Sequence, residues 1–448
     1  MRKKRLAKLL SLPTAIALIA AACTSSDRTG SDGAGSETTA SDATAPDSTE
    51  PDTAVGSNTA VGSNTATDGT LIIGGLLPGT GNLAYLGSPQ FAGVGLAVAE
   101  INAAGGVFGN DVVWLPGDSG DAGDVANASA DRLLAQDVDA IIGPASSEVS
   151  LSVIDKITQA GVVHFSAANT SEVFTTYDDN GLYFRTAPSD VMQGAALADL
   201  ILADGVENVA YIVLNDSYGT GLLAASKQQY ESSGGTVVAE QIYEPATDRF
   251  SVEIAAVAES SPDGIVIIGF DETAQILQEL IQAGLGPSDL PVYGTDGNMT
   301  QALAATFDDP SVIAGMKGTA PGTDVAGELA DFRDRLLGID PGLIDFAYSA
   351  ESYDAVMLVA LAALQAGTDD PIAVAAEINE ITRDGEKCTD FVVCAELIAL
   401  GTDIDYDGVS GPLEFIDAGE PSIASILTKQ FSDEGVLQTI GSVLGSLS

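Results

Sequence analysis

Histidine, tryptophan, cysteine and positive charge are all scarce in this chain. Its 448 residues hold one His, one Trp and three Cys, and 17 Lys and Arg stand against 64 Asp and Glu, a formal net charge of −47 at pH 7. Each scarcity removes a class of function. One imidazole, His164, cannot build a zinc centre with so few cysteines, and no metal or other cofactor is expected. His164 follows two valines in an apolar run, so a satisfied core histidine is the expectation. No G-x-S-x-G serine motif stands near it and no phosphate-loop lysine motif exists, so no catalytic residue and no enzyme activity are expected. Gly74-Gly75 follow an apolar run but lack the glycine spacing of a dinucleotide fingerprint. The excess of negative charge repels nucleic acid and anionic lipid, so neither is an expected partner. Long hydrophobic runs are also missing: past residue 22 no stretch of 18 apolar residues occurs, so no membrane span is expected in the body of the chain.

What is present begins at the N-terminus. Arg2, Lys3, Lys4, Arg5 and Lys8 precede an apolar run over 9–22 that carries Pro13. That run is too short to span a bilayer and suits the apolar region of an export signal. It ends in Ala20-Ala21-Ala22-Cys23, similar to a bacterial lipobox, with Ala20 where leucine is usual. The expectation is a signal peptide over 1–22, lipidation of Cys23 and an extracytoplasmic protein anchored to the cell membrane. Residues 23–69 are Ser, Thr, Ala, Gly and Asp with a short repeat, TAVGSN at 53–58 and again at 59–64. Such a segment buries too little apolar surface to offset its ordering entropy. It is expected to be a disordered tether, with a reach of roughly 35–40 Å by square-root scaling. In an oxidising compartment Cys388 and Cys394, a C-x5-C pair, read as a local disulfide, contributing about 2 kcal/mol by loop closure.

From residue 70 to 448 apolar runs alternate with amphipathic stretches. Strands are expected over 70–76, 112–115, 140–142, 162–165, 209–214, 236–243, 264–268 and 291–293, with helices over 91–103, 124–136, 149–159, 192–204, 219–232, 250–260 and 273–283. Strand–helix alternation means parallel sheets flanked by helices, an α/β fold long enough for two lobes. In such sheets ligands bind beyond the carboxyl ends of strands. The loops there are small and hydroxyl-rich: Gly143-Pro144-Ala145-Ser146-Ser147, Ser166-Ala167-Ala168-Asn169-Thr170, Asn215-Asp216-Ser217-Tyr218 and Gly294-Thr295-Asp296-Gly297.

These segments carry a resemblance. Gly87 and Phe91, then AVAEINAAGGVFGN over 97–110, Ile142-Gly143-Pro144 before serines, and Tyr353-Asp354-Ala355 opening a helix occur in order. Over about 69–428 the chain resembles the leucine/isoleucine/valine-binding proteins, which have the two-lobed type I periplasmic-binding fold. The resemblance implies a three-segment hinge, with crossings near 185–188, 317–321 and 411–414. Lobe one would then be about 70–186 and 319–410, and lobe two 187–318 and 411–448. It further implies the extracytoplasmic solute-binding subunit of an ABC importer, working with permease subunits. The solute would be an amino acid, branched-chain type favoured, captured by lobe closure. Carried over by motif, Ser147 holds the ligand carboxylate, the Ala168 carbonyl accepts from the ammonium, and Thr170 touches both. Tyr218 lies over the ligand, Asp296 pairs with the ammonium, and Phe270 and Tyr348 close the side-chain pocket. Leu86 stands where tyrosine is common in the family, with Tyr85 one residue earlier. Alternatives within the same fold are an amide, urea-like or aromatic-acid solute, or a ligand sensor for a membrane signalling partner. Plainer roles are also available: Ser147 and Thr170 as helix caps, Asp296 in an Asp-Gly turn, Tyr218 as a core aromatic.

Overall fold

The computed structural model describes residues 67–327 and 329–447. The expected signal peptide, Cys23 and almost all of the expected tether lie outside the described residues. Five strands form a first, wholly parallel sheet: β1 (Ile72–Gly75), β2 (Val113–Leu115), β3 (Ala140–Ile142), β4 (Val163–Ser166) and β5 (Tyr183–Arg185), in the order β2-β1-β3-β4-β5. The second sheet contains β6 (Asn208–Leu214), β7 (Thr236–Tyr243), β8 (Gly264–Ile268), β9 (Val292–Gly294) and β10 (Lys317–Pro321). Between the sheets' contributions a small parallel pair forms, β11 (Glu386–Cys388) and β12 (Ile404–Tyr406). A C-terminal hairpin, β13 (Ile423–Phe431) and β14 (Leu437–Ser446), then joins the second sheet antiparallel to β10, giving β14-β13-β10-β9-β8-β6-β7. Central strands such as β8 (GIVII) are buried at every residue, as a parallel sheet covered on both faces requires. This is the two-lobed α/β architecture expected from the alternation.

Several boundaries differ from those expected. Residues 317–321, read as a crossing, are β10, hydrogen-bonded to both β9 and β13, and the chain leaves the second sheet only at Gly322, whose φ of +112° suits glycine. Leu413 and Phe415, assigned to lobe two, pack in the first lobe's core, so the last crossing follows them. The expected helix over 149–159 is two short ones, Ser147–Leu151 and Ile154–Gln159. The helix expected to open at Tyr353 begins at Ser349 and runs to Ala366. β5, β13 and β14 have no expected counterpart, because β5 is three residues ending in a charge and the hairpin is half-exposed without clean alternation.

Ser349–Ala366 is the first lobe's central element: its residues 349–363 are all buried. It packs against the long helix Ala84–Ala103, where Gly93 permits the approach, since a Cβ there would lie 2.2 Å from the Ser349 carbonyl oxygen. Its apolar character all round follows from being enclosed. Among the described residues no single helix is long and apolar enough to cross a membrane. Cys388 and Cys394 are joined, with Cα atoms 5.5 Å apart, and both pack into this core.

His164 is fully buried in β4, donates from Nε2 to the Gly143 carbonyl at 2.9 Å, and meets Tyr183 edge to face. Burial pulls its pKa down to about 4. The folded value lies below the unfolded one of about 6.5, so the neutral ring contributes stability above pH 6.5 that is lost as pH falls toward 4. As the sequence holds one histidine, its ring resonances are assignable at sight. They should stay at neutral-imidazole shifts from pH 8 to pH 5 in the folded protein; a midpoint near 6.5 would show the burial argument to be wrong.

Candidate ligand-binding site

The loops after the carboxyl ends of the strands face one another across the two lobes. Ser147 and Ala168 with Thr170 follow β3 and β4, Tyr218 follows β6, Phe270 follows β8, and Asp296 follows β9. Tyr348 immediately precedes the central helix. The structure brings all seven sequence-designated residues to one enclosed cavity of about 20 Å³, with Leu83, Leu86, Ala145, Ser146 and Gly297 completing the wall. That volume is about the room of one water molecule.

The hydroxyl groups are distributed in a particular way. Ser146, not Ser147, caps its helix: the Val149 N–H donates to Ser146 Oγ at 3.3 Å. Ser171, not Thr170, caps the turn Glu172–Thr176, receiving the Val173 N–H. The plainer capping role weighed for Ser147 and Thr170 is taken in each case by a neighbouring serine, and both residues border the cavity, as the ligand-contact reading expects. Ser147 Oγ receives only a long bond, 3.4 Å, from the Ser171 N–H.

Asp296 is the electrostatic centre. It is 7 % exposed, and three neutral donors converge on it: Tyr218 Oη at 2.8 Å, Gln193 Nε2 at 2.9 Å and Tyr348 Oη at 2.5 Å. Burial, then the Asp296 charge, raise the Tyr218 and Tyr348 hydroxyls well above the ordinary tyrosine value, so both remain donors. Tyr218 stacks on Phe270 with ring centroids 5.3 Å apart. Asp190, fully buried beside Thr170, is held well above the usual carboxylate range by burial and then by Asp296. No lysine or arginine lines the cavity.

A buried pair positions the loop that carries Thr170. Arg185 and Glu420 are each 1 % exposed and ion-paired, with Nε donating to Oε2 at 2.6 Å. The remaining guanidinium donors reach the carbonyls of Asn169 and Ser171, at 3.2 and 2.8 Å, on either side of Thr170. Arg185, Glu420, Asp190 and Gln193 were not designated from the sequence. An arginine ending an apolar Tyr-Phe-Arg run was the available signal for the first; Gln193 carries none.

Contacts across the cleft join the lobes directly. Tyr85 Oη donates to the Gly297 carbonyl, Ser171 Oγ to the Ser217 carbonyl at 2.9 Å, the Ser217 N–H to Glu148 Oε2 at 3.3 Å, and the Gln301 N–H to Asp345 Oδ2 at 2.7 Å. Leu86 faces the cavity while Tyr85 bridges the lobes, so the tyrosine displaced by one position serves closure.

A small cavity held between two α/β lobes, with hydroxyl groups from one lobe, a carboxylate from the other and an apolar remainder, has the arrangement of a solute-binding protein. The chain belongs to the periplasmic binding protein family, whose model matches residues 70–414. Family members are solute-binding proteins with an extracytoplasmic location. It is 26 % identical over 380 residues, 81 % of this chain and 87 % of the relative, to a chemotactic signal transduction system substrate-binding protein of Halobacterium salinarum. An amino acid binding protein of Pseudomonas aeruginosa is 28 % identical over 314 residues, 68 % of this chain and 81 % of that one. Among solved structures, a leucine-binding protein of Thermotoga maritima superposes with a TM-score of 0.70 at 21 % identity, covering 84 % of this chain and 99 % of that chain. A benzoate complex of a solute-binding protein from R. palustris gives 0.69 at 17 %, covering 85 % and 98 %.

Removing one partner of the Arg185–Glu420 pair strands a buried charge, which costs about 3–5 kcal/mol. Glu420→Ala should lower unfolding stability by that amount in urea titration; a loss under 1 kcal/mol would mean that water or another residue compensates.

Proposed function

We propose that this protein captures an amino acid for an ABC importer, holding the α-ammonium group at Asp296 and the α-carboxylate at Ser147 and Thr170. The observation that carries the reading is the Asp296 carboxylate, buried at the cavity with neutral donors only. A ligand ammonium supplies the missing positive charge. At an effective dielectric of about 20 and 4 Å separation the attraction is about 4 kcal/mol before desolvation. The hydroxyls of Ser147 and Thr170, with the N–H groups of a first helical turn that has no intrahelical acceptor for them, suit a carboxylate. Leu83, Leu86, Ala145 and Phe270 give the apolar wall a branched aliphatic side chain would need. An aromatic acid brings a second anion to Asp296 without a cation, which disfavours it; an amide donates N–H there and stays second. The chemotactic relative supports a further reading, in which the occupied form reports to a membrane signalling partner instead of a permease.

Calorimetry against a panel of amino acids, amides and aromatic acids separates these ligand classes. For an amino-acid ligand, Asp296→Ala should weaken binding roughly 10²–10³-fold, the loss expected on breaking a buried ion pair. Asp296→Asn should do less harm, because its oxygen still accepts. A change below tenfold in a folded Asp296→Ala protein would move the amide reading ahead.

Lipid anchoring at Cys23 belongs to the same reading: a tethered receptor stays within reach of its permease. Cys23→Ser should move the protein from the membrane pellet to the soluble fraction. Retention of the variant on washed membranes would count against the lipobox.

A further inference from the structure

A larger chamber adjoins the ligand cavity. It measures about 330 Å³ and shares two walls with the smaller one, Asp296 and Tyr348. The hydrogen bond between those two side chains is therefore a partition between the compartments. Beyond it lies Glu351, one helical turn further along the central helix and 4 % exposed. Its Oε1 would sit 2.6 Å from a Cβ on Gly322, so the carboxylate reaches the hinge segment. The donors acting on that carboxylate reduce to its own backbone N–H. The other charged groups facing the chamber are Asp324, Asp345 and Lys429. Asp345 is already occupied by the N–H groups of Gln301, Phe346 and Ala347 and Asp324 by that of Gly327, leaving Glu351 as the acid of the chamber with no donor from another residue among the described residues.

We propose that this chamber is a second subsite, in which Glu351 receives the terminal amine or guanidinium of a long basic side chain when Tyr348 swings aside. The proposal rests on the amino-acid reading above and extends it from short aliphatic ligands to basic ones. The position suits it: Glu351 lies three residues past Tyr348, in the first turn of the helix beyond the partition, on the wall of the same chamber as Asp296. With its α-ammonium at Asp296, such a ligand runs along Tyr348 toward Glu351. The partition is also built to move. Tyr348 has φ +58°, a left-handed conformation that non-glycine residues adopt with strain and that clusters at ligand clamps and switches. Burial pushes the Glu351 carboxyl up to about 8, with Asp354 adding to the rise and Lys429 only partly opposing it. An arriving cation supplies the counter-charge that this carboxyl lacks.

The test is calorimetric titration of L-lysine, L-arginine and L-leucine into wild type, Glu351→Gln, Lys429→Met and Asp296→Ala, each checked for folding by thermal melting. Glu351→Gln is nearly isosteric and keeps the backbone carbonyl that accepts from Thr186. Wild type should bind lysine or arginine. Glu351→Gln should weaken that binding at least tenfold and leave leucine within twofold. Lys429→Met should strengthen it severalfold, so the subsite stays testable even if Glu351→Gln folds poorly. Basic-ligand affinity indifferent to both changes overturns the subsite. So does a wild type that binds leucine and neither basic amino acid, an outcome that leaves the amino-acid reading standing. Absence of binding by all three, or binding unaffected by Asp296→Ala, overturns that reading and the subsite with it.

Discussion

The pairing of Arg185 with Glu420 is the constraint on which the arrangement of the cleft depends. Taking two full charges out of water is expensive, and such a pair persists only where further hydrogen bonds satisfy the remaining donors. Here they do so at the Thr175 hydroxyl and at the backbone flanking Thr170. Arg185 ends the last strand of the first sheet, where the chain leaves for the second lobe, and Glu420 lies in the returning segment, three residues before β13. The ion pair thus knots the first and third crossings together and fixes a ligand-facing loop at the same time. The second crossing, which starts at Gly322, carries no part of this pair.

A similar economy operates within the cavity. The loops that follow β3 and β4 each offer a serine or threonine pair, Ser146-Ser147 and Thr170-Ser171, and the structure divides the labour within each. Ser146 and Ser171 satisfy the backbone, while Ser147 and Thr170 border the cavity, the Thr170 hydroxyl also engaging the Asp190 carboxyl group. The second lobe contributes the opposite polarity through Asp296. On the proposed amino-acid reading neither half alone would hold a zwitterion, and a ligand bridging both would gain differential affinity for the closed state.

Much of this was legible in the sequence because the parallel strands are buried on both faces and read as continuous apolar runs, β6 and β8 above all. Loop positions followed; the seven residues that meet at the cavity came from the family resemblance, carried over by motif onto those loops. Composition alone left capping open for Ser147 and Thr170, since Ser-Ser and Thr-Ser pairs give no local sign of which hydroxyl turns inward. β10 was taken for a crossing on the family resemblance; its place in the sheet is set by two neighbours, β9 and the distant β13. Gln193, Glu351 and Glu420 were invisible for a related reason: a polar residue in an acidic chain announces nothing until the fold buries it.

The contacts that bridge the lobes away from the cavity carry a kinetic meaning. The bonds from Tyr85 to Gly297, from Ser171 to Ser217 and from Gln301 to Asp345 involve residues of the cleft rim, and each must break before the cavity reaches solvent. Escape of an enclosed solute is therefore limited by how often the lobes part. Different ligands that permit the same closure share one ceiling on their dissociation rate, and the affinities among them diverge through how readily each stabilises the closed form. A transport partner that pries the rim open would raise that ceiling without touching a single ligand contact.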